Sequence, residues 1–374
     1  MNSPNRRSIN KIEVGSPTGG LIHESRLAQA RQFAGEILPQ VSRTFDLAIK
    51  FLPGKLSRPV GLAYLLCRIA DSFEDSTELP AEIRSSFLEK YSRLLRVSGD
   101  YDPELLAELQ NAFVSSGHGA DAAQSDNPAN LILVRNLDKV LVVADSLPPE
   151  FKKRIYPRVQ EMATGMAQYT LMVSARPLQV SFLKDEEDWD RYCYYVAGTV
   201  GHMLTDIFCD YAGFGHDMRR RLHDLGRSFG LGLQKVNILK DAVIDSGRGV
   251  CFLPKTIIDR YGVTFGGFRP DSARGDLAGL VRKVIEICRR HFEDAIEYIR
   301  MIPIKHLGLR MFLIVPVMLA AATLKLFDEY PGRLLERGDL KLSRTQVLGI
   351  VRRSAFCRYS NRMLRIAFNR MYPA

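Results

Sequence analysis

Apolar residues recur at helical spacing along almost the whole chain. From about Glu24 onwards they repeat every three or four positions, and few segments alternate as a half-buried strand would. Pro39, Pro53 and Pro80 set the predicted helix limits in the first third of the chain, and the polar residues 115–130 predict a surface loop. The pattern therefore predicts an all-α protein.

The domain organisation follows from the same pattern. Residues 1–22 are polar, contain Gly, Pro and Ser and lack an apolar core, which predicts a disordered N-terminal segment. The composition does not shift after that point, so residues 23–374 are predicted to form a single helical domain. Helices are expected at about 150–172 and 187–211, and the connection between them can carry a short extended piece.

One predicted helix runs into three carboxylates. Asp71, Glu74 and Asp75 are spaced by three and four residues, so they share one helical face. Arg68 and Tyr64 lie three and seven residues before Asp71 and continue that stripe. Clustered carboxylates repel one another, and hard oxygen ligands of this kind suit Mg²⁺ with a substrate phosphate. Taken alone, the motif is also compatible with a solvated acidic helix end.

A second helix carries a similar polar stripe within an otherwise apolar sequence. The stripe lies at offsets of 0, 3, 7 and 11 and consists of Gln234, Asn237, Asp241 and Asp245. Both helices are mostly apolar, and the polar stripe of each ends in carboxylates. Such a pair is typical of a site that binds metal ions and diphosphate from two sides. Arg248 follows this stripe and lies between two glycines, which predict a flexible loop. A basic residue in such a loop could close over a bound anion as part of a lid.

A third polar signal comes early in the chain. Ser42 follows Pro39 and is predicted to cap a helix. The free backbone N–H groups of that helix start, with Arg43 beside them, would form an anion site. A plain capped helix start explains the same residues.

The predicted helix at 187–211 combines aromatic and small residues. Tyr192 and Tyr195 share one face, and Gly198 and Gly201 follow. Because glycine is less favourable than Ala inside a helix by about 1 kcal/mol, these glycines indicate close approach of another helix or of a ligand. Core packing is the simpler interpretation of the tyrosines.

Composition and charge narrow the function classes. The 374 residues carry a net charge of +10, which favours a polyanionic partner such as nucleic acid, anionic lipid or a phosphorylated substrate. Basic residues do not alternate with aromatic ones, so no nucleic-acid partner is expected, and no obligate protein partner is indicated. HExxH, Walker A, GxSxG and Rossmann GxGxxG motifs are missing from the sequence, which argues against metalloproteases, P-loop NTPases, α/β-hydrolases and ordinary dinucleotide domains.

The sequence also suggests where the protein works. Its six cysteines form no CxxC pair and are interpreted as reduced core residues of a cytosolic protein, and no secretory signal is visible. The longest apolar run, 311–324, contains Pro316 and is shorter than the roughly 20 residues of a spanning helix, so it predicts a buried helix and no membrane anchor. The C-terminus predicts reversible contact with an anionic cytoplasmic membrane surface. Its amphipathic residues are Arg362, Met363, Leu364, Arg365, Ile366, Phe368 and Arg370.

Four motifs together resemble the squalene and phytoene synthase family of head-to-head prenyl transferases. They are SRTF (42–45), CRIADSFED (67–75), YCYYVAGTVG (192–201) and LGLQKVNILKDAVIDSGRGVCFLP (231–254). The resemblance runs in order from about residue 35 to 330. It implies an all-helical isoprenoid-synthase fold around a central active-site cavity.

The resemblance also implies roles for individual residues. Mg²⁺ ions on two prenyl diphosphates would be held by Asp71, Glu74, Asp75, Asn237, Asp241 and Asp245. Substrate contacts would come from Ser42, Arg43, Phe45, Tyr64, Arg68, Tyr195, Gln234 and Asn237. Tyr192 matches the tyrosine that handles a proton in the first half-reaction. The phosphates of NADPH are assigned to Lys240, Arg248 and Lys341.

Within the family, WDRYCYYVAGTVG and RMFLIVPVMLAAATL are more similar to the squalene branch. That branch implies joining of two farnesyl diphosphates to presqualene diphosphate, followed by NADPH-dependent reduction to squalene. The alternatives are a phytoene, dehydrosqualene or presqualene diphosphate synthase without the reduction, or a non-catalytic helical protein that binds prenyl lipids. One departure stands out: Ile244 replaces the glutamate common in the second acidic motif, while Asp241 and Asp245 remain.

Overall fold

The computed structural model describes residues 17–76, 79–98, 101–113, 128–174, 181–247, 249–263, 275–332 and 341–372. These residues form sixteen α-helices and two short strands, as the sequence pattern predicts for an all-α protein. The helices are α1 (Pro17–Val41), α2 (Arg43–Ile49), α3 (Gly54–Glu74), α4 (Ala81–Leu94), α5 (Pro103–Phe113), α6 (Pro128–Arg135), α7 (Leu137–Asp145), α8 (Pro149–Ser174), α9 (Glu186–Cys193), α10 (Thr199–Ala212), α11 (His216–Gly247), α12 (Lys255–Tyr261), α13 (Leu277–Met301), α14 (Leu307–Glu329), α15 (Arg344–Ser354) and α16 (Asn361–Met371).

The predicted helix starts are largely confirmed. Ser42 caps α2, and its Oγ accepts a hydrogen bond from the Phe45 backbone N–H at 3.2 Å. Pro53 and Pro80 stand at the N-caps of α3 and α4. Pro39, in contrast, lies inside α1, so the helix ends two residues later than that proline suggested.

The N-terminal segment proposed from the sequence, residues 1–22, overlaps the first helix. Helix α1 begins at Pro17, and proline is favourable in a first helical turn because its missing N–H has no helical partner there. Residues 17–22 of the proposed N-terminal segment thus belong to α1. Residues 1–16 lie outside the described part of the chain.

The helix predicted at 187–211 is interrupted by one turn of π-helix, Tyr194–Gly198, between α9 and α10. A π-turn inserts an extra residue and rotates the following side chains around the axis. Tyr192 and Tyr195 nevertheless both contact the ring of Tyr169 in α8, with ring centroids 5.2 and 6.2 Å apart. The π-turn packs against α11.

The two strands tie the end of α11 to the start of α9. Strand β1 (Ser181–Leu183) pairs in parallel with β2 (Val250–Pro254), with Phe182 opposite Cys251. The expected extended piece between the two central helices is thus confirmed, and its partner follows directly after α11. This ribbon brings Phe252 against Tyr192.

Glycines allow α10 and α11 to cross in backbone contact. A Cβ atom added to Gly201 would lie 2.1 Å from the carbonyl oxygen of Gly226, and one added to Gly230 would lie 2.3 Å from that of Ala197. Side chains at these positions would force the helices apart. Close helix–helix packing, one of the two interpretations of the glycines, is confirmed.

Helix α14 is the apolar centre of the C-terminal half. It spans 23 residues and contains Pro316. By length and composition it could cross a membrane, yet 78% of its most apolar 18-residue stretch is buried in the protein. The prediction of a buried helix at 311–324 is confirmed, with a helix longer than the apolar run itself. Its neighbours include α13, α15 and α16.

A buried arginine fastens the C-terminal helices to this core. Arg310 in α14 is 0% exposed and donates hydrogen bonds to the carbonyl oxygens of Ile299 and Ile302 at 2.7 and 2.8 Å. It also donates to the Arg358 carbonyl at 2.8 Å and to Asn361 Oδ1 at 2.7 Å. One guanidinium therefore joins the end of α13 to the start of α16.

We expect Arg310→Met to destabilise the protein by about 3 to 5 kcal/mol, because several buried carbonyl oxygens would lose their donors. Urea unfolding measures the loss, and limited proteolysis should show earlier cleavage between α14 and α16. Arg300→Met is the matched control, since Arg300 is exposed and pairs with Glu297 at the surface. Equal effects of the two substitutions would contradict this role for Arg310.

Candidate active site

A cavity of about 450 Å³ lies between α2, α3, α10, α11 and α14. Most of its wall is apolar, with Val60, Phe229, Phe312, Leu313 and Leu319 among its lining residues. Its polar lining comes from few side chains, chiefly Arg68, Asp71, Gln234, Asn237, Lys240 and Lys341. The cavity thus joins an apolar space to a charged edge, as an amphiphilic ligand requires.

Helix α3 supplies one side of the charged edge. Arg68 Nη1 lies 3.4 Å from Asp71 Oδ2, and Arg68 Nε donates to Asn130 Oδ1 at 3.2 Å. Burial and the neighbouring Asp75 raise the pKa of Asp71 to about 6, although Arg68 opposes the rise. Asn130, in α6, was not singled out from the sequence; it holds the guanidinium beside Asp71.

The three carboxylates at the end of α3 have separate surroundings. Asp71 lines the cavity, Asp75 is exposed at the C-cap, and Glu74 is buried. The Tyr192 hydroxyl lies 3.3 Å from Glu74 Oε1 and donates a hydrogen bond to it. Burial, followed by the charges of Asp75 and Asp71, raises the pKa of Glu74 well above its usual value.

Helix α11 supplies the other side. Gln234, Asn237 and Lys240 line the cavity, and Asp241 and Asp245 continue the stripe about one and two turns beyond Asn237. Lys240 Nζ lies 3.2 Å from Asp241 Oδ2. The two stripes identified in the sequence thus meet at one cavity.

The donor set suits a magnesium ion that a substrate helps to bind. Among the described residues, no three Asp, Glu, His or Cys side chains converge closely enough to hold a metal ion by themselves. Mg²⁺ is commonly bound through one or two carboxylates, with water and substrate phosphates completing its octahedron. Burial, together with the neighbouring carboxylates, raises the pKa values of Asp71 and Glu74, and a bound cation would favour their ionised forms. The residues present therefore fit magnesium.

Tyr192 is enclosed by aromatic rings. It stacks on Phe252 with ring centroids 4.5 Å apart and an interplanar angle of 7°, and Tyr169 meets it edge-on at 5.2 Å. Burial and the Glu74 carboxylate raise the pKa of Tyr192 further above that of an ordinary phenol. Tyr192 is not among the residues that line the cavity, although its hydrogen bond connects it to the carboxylate end of α3.

The remaining sequence candidates divide into three groups. Phe45 and Tyr64 line the cavity with ring centroids 5.2 Å apart, and Ser42 caps the helix that carries Phe45. Tyr195 does not line the cavity and packs against Gly165 instead, where a Cβ atom would lie 2.1 Å from its ring. Arg248 and the side chain of Arg43 lie outside what the structure describes.

Two of the three cations assigned to a nicotinamide cofactor lie at the same cavity. Lys240 and Lys341 both line it, one from α11 and one just before α15. Lys341 is separated from Lys240 by about a hundred residues, so the sequence offers no spacing that predicts their meeting.

Sequence reasoning missed a buried ion pair that holds α11 in place. Lys235 is 1% exposed; its ammonium group pairs with Asp190 of α9 and lies 2.8 Å from His291 Nε2 of α13. It also lies over the Trp189 ring, 4.8 Å from the centroid. A lysine inside an apolar stretch, next to Gln234, was the signal that could have identified it.

Known proteins are similar to this chain in sequence and in fold. A family model described as squalene/phytoene synthase matches residues 38–346. The squalene synthase of Mycosarcoma maydis is 31% identical over 69% of this chain, which spans 40% of that protein's length. The squalene synthase of Cyberlindnera jadinii is 25% identical over 91% of this chain and 71% of its own. A solved structure, TcSQS with the ligand E5700, superposes with a TM-score of 0.69 over 91% of each chain at 22% identity.

Asp71 makes the stability of the metal-free protein depend on pH. Its folded pKa, about 6, exceeds the unfolded value near 3.8, so the folded state binds the proton more tightly. The unfolding free energy should therefore fall as pH rises from about 4 to about 7.

Asp71→Asn removes this dependence, and we expect it to stabilise the metal-free protein by about 1 to 2 kcal/mol at pH 8 and by much less at pH 4. Urea unfolding in a chelator at both pH values measures the difference. Asp224→Asn, at an exposed carboxylate of α11, is the control. If Asp71→Asn stabilised the protein more at pH 4 than at pH 8, the raised pKa of Asp71 in the folded state would be contradicted.

Proposed function

Because the chain belongs to the squalene/phytoene synthase family, we propose that it is a prenyl transferase that condenses two farnesyl diphosphates head to head. The first product would be presqualene diphosphate, and an NADPH-dependent reductive rearrangement would convert it to squalene. The observation that carries the proposal is the single cavity at which the polar stripes of α3 and α11 meet above an apolar space. Prenyl chains suit the apolar part and diphosphates suit the charged edge.

Two helices would bind the diphosphates through magnesium. Asp71, Glu74 and Asp75 of α3 would act with Asn237, Asp241 and Asp245 of α11 as ligands. When bound, Mg²⁺ neutralises the charge that develops on the leaving diphosphate as the C–O bond breaks. Arg68, Lys240 and Gln234 line the same edge and would orient the phosphate oxygens. Ser42 and Arg43 would add contacts at the start of α2.

The apolar part of the cavity would protect the allylic cation that forms. Phe45 and Tyr64 present aromatic faces to the cavity, and such faces attract a cation electrostatically. The other wall residues are mainly apolar, and burial raises the pKa of the Cys67 thiol that also lines the cavity, so the thiol stays protonated. Tyr195, which packs away from the cavity, would act on the substrate only by supporting its wall.

Tyr192 is the proposed proton-handling residue of the first half-reaction. Closing a cyclopropane ring requires loss of a proton from carbon, and a phenol can accept that proton only as it gives up its own. The hydrogen bond from Tyr192 to Glu74 provides a carboxylate for this second transfer. The role assigned to Tyr192 therefore includes Glu74 as its partner.

The second half-reaction needs a hydride from NADPH. Lys240 and Lys341 lie at the cavity and would bind the cofactor phosphates, with Arg248 as a further cation beyond α11. A synthase of the same family without the reduction, giving dehydrosqualene, phytoene or presqualene diphosphate, is the alternative. The sequence of the second acidic motif, Asp241–Asp245, supports this alternative. Ile244 stands there in place of a glutamate, so the motif has one carboxylate fewer.

We further propose that the protein is cytoplasmic and contacts the inner face of a membrane peripherally. The substrate is amphiphilic and squalene is almost insoluble in water, so product release requires an apolar acceptor. The net charge of +10 supports attraction to anionic lipid.

The reaction is tested with purified protein, farnesyl diphosphate and Mg²⁺, with and without NADPH. We expect squalene with the cofactor and presqualene diphosphate without it. Asp71→Asn and Asp241→Asn should each lower turnover by at least about a hundredfold, because each removes a hard ligand at unchanged side-chain size. Asp224→Asn is again the matched control. Near-normal turnover in either folded site variant would exclude the metal clamp, and a product unchanged by NADPH would favour the alternative.

Tyr192→Phe tests the proton transfer separately. We expect it to slow formation of presqualene diphosphate by about a hundredfold or more and to affect the consumption of added presqualene diphosphate much less. Tyr169→Phe, in the adjacent ring, is the control for packing. Equal loss in both half-reactions would assign Tyr192 a structural role.

A further inference from the structure

A buried ammonium group joins the helix that carries Tyr192 to α11. Lys235 of α11 is 1% exposed, pairs with Asp190 and lies 4.8 Å from the centroid of the Trp189 ring. Both partners belong to α9 and precede Tyr192 by two and three residues. Helix α9 spans only eight residues, and a helix of that length depends on tertiary contacts because it is marginal in water by itself. The contact with Lys235 therefore helps to determine where Tyr192 lies.

A chain of hydrogen bonds fixes the ammonium group from its other side. Lys235 Nζ donates to His291 Nε2 at 2.8 Å. Because an ammonium group has donors only, Nε2 is the acceptor and His291 carries its hydrogen on Nδ1. Nδ1 lies 2.9 Å from Ser228 Oγ, which in turn donates to Asp294 Oδ2 at 2.6 Å. The imidazole is thus held in one orientation and one tautomer, and it fixes the direction in which Lys235 points.

The neighbours of Lys235 in the sequence face the cavity. Gln234 and Val236 line it, and so does Asn237, whereas Lys235 is not among the lining residues. Successive residues of an α-helix point about 100° apart, so one turn of α11 presents Gln234 and Asn237 to the cavity and Lys235 to α9 and α13. The turn that carries part of the second polar stripe therefore also holds α9.

The other contacts of Tyr192 orient its side chain. Phe252 stacks on the ring, Tyr169 meets it edge-on, and the hydroxyl donates to Glu74. The Tyr169 hydroxyl also donates to Asp188 Oδ1 at 2.8 Å, which joins α9 to α8. These contacts fix the ring once α9 is in place, whereas the buried ammonium group relates α9 to α11.

We propose that Lys235 is a positioning residue for the first half-reaction. Through Asp190 and Trp189 it sets the place of α9 against α11. It thereby sets the place of the Tyr192 hydroxyl relative to a substrate whose diphosphate is bound by the polar stripe of α11. Stability alone is a weak reason for such a pair, because a buried ion pair is often no more stable than apolar side chains of the same size. This inference rests on the proposed function, since it assigns Lys235 a part in that reaction.

Lys235→Met keeps the length of the side chain and removes its charge. We expect it to slow formation of presqualene diphosphate at least about thirtyfold and to change KM for farnesyl diphosphate less than about threefold, because a displacement of about 1 Å impairs proton transfer much more than binding. Consumption of added presqualene diphosphate should stay within about threefold of normal. Lys90→Met, which removes an ion pair between α4 and Glu108 of α5, is the matched control and should leave both half-reactions unchanged.

A second variant separates positioning from stability. Asp190→Asn alone leaves a buried ammonium group without its carboxylate and should lower the urea midpoint of unfolding. Asp190→Asn combined with Lys235→Met removes both charges of the pair and should unfold near the normal midpoint. The positioning role predicts that this double variant stays slow in the first half-reaction by about thirtyfold. A rate that recovers together with the urea midpoint would overturn it.

Fluorescence reports the position of α9 directly. Trp189 is the single tryptophan of the chain and is 0% exposed. In Lys235→Met and in the double variant we expect emission at longer wavelength and faster quenching by acrylamide, because α9 packs less closely on α11. Fluorescence that is unchanged in both variants would overturn the positioning role even if the rate fell. The measurement needs no substrate, so it still tests the contact if the unmodified protein forms no presqualene diphosphate, which would contradict the proposed function instead.

Discussion

The site in this protein depends on how closely α11 can approach its neighbours. At the crossing with α10 the backbones touch, because Gly201, Gly226 and Gly230 leave no side chain between them. On another side of α11, buried Lys235 pairs with Asp190 and His291. A buried lysine without its partners would be strongly unfavourable, so these contacts fix the rotation of α11. That rotation aims Gln234, Asn237 and Lys240 at the cavity.

Charge is distributed unevenly at two places in the molecule. Around the end of α3, burial and then the charge of neighbouring carboxylates raise the pKa values of Asp71 and Glu74. Residues 341–374 have the opposite imbalance, with basic residues only. Neither arrangement stabilises the folded chain on its own, and uncompensated charge of this kind is typical of surfaces that bind an ion or an oppositely charged partner.

Much of the fold and of the candidate site could be predicted from periodicity. The helical spacing identified α3 and α11 and the two polar stripes, because residues three and four apart share a helical face whatever the helix packs against. Ser42 was identified as a cap for an equally local reason, its side-chain bond to the Phe45 N–H. The choice of reaction within the family stays a prediction, since neither the stripes nor the fold select one product.

The sequence by itself determined the helices, their amphipathic faces, the motif order and the excess positive charge, since each depends on neighbouring residues. Only the tertiary structure decided which side chains meet across the chain. Local spacing placed Asp71, Glu74 and Asp75 on one face, but packing put Asp71 at the cavity and buried Glu74 against Tyr192, 118 residues away. Likewise, the regular helical period predicted one continuous helix at 187–211, whereas the structure has a π-turn at Tyr194–Gly198, beside the close contact between α10 and α11.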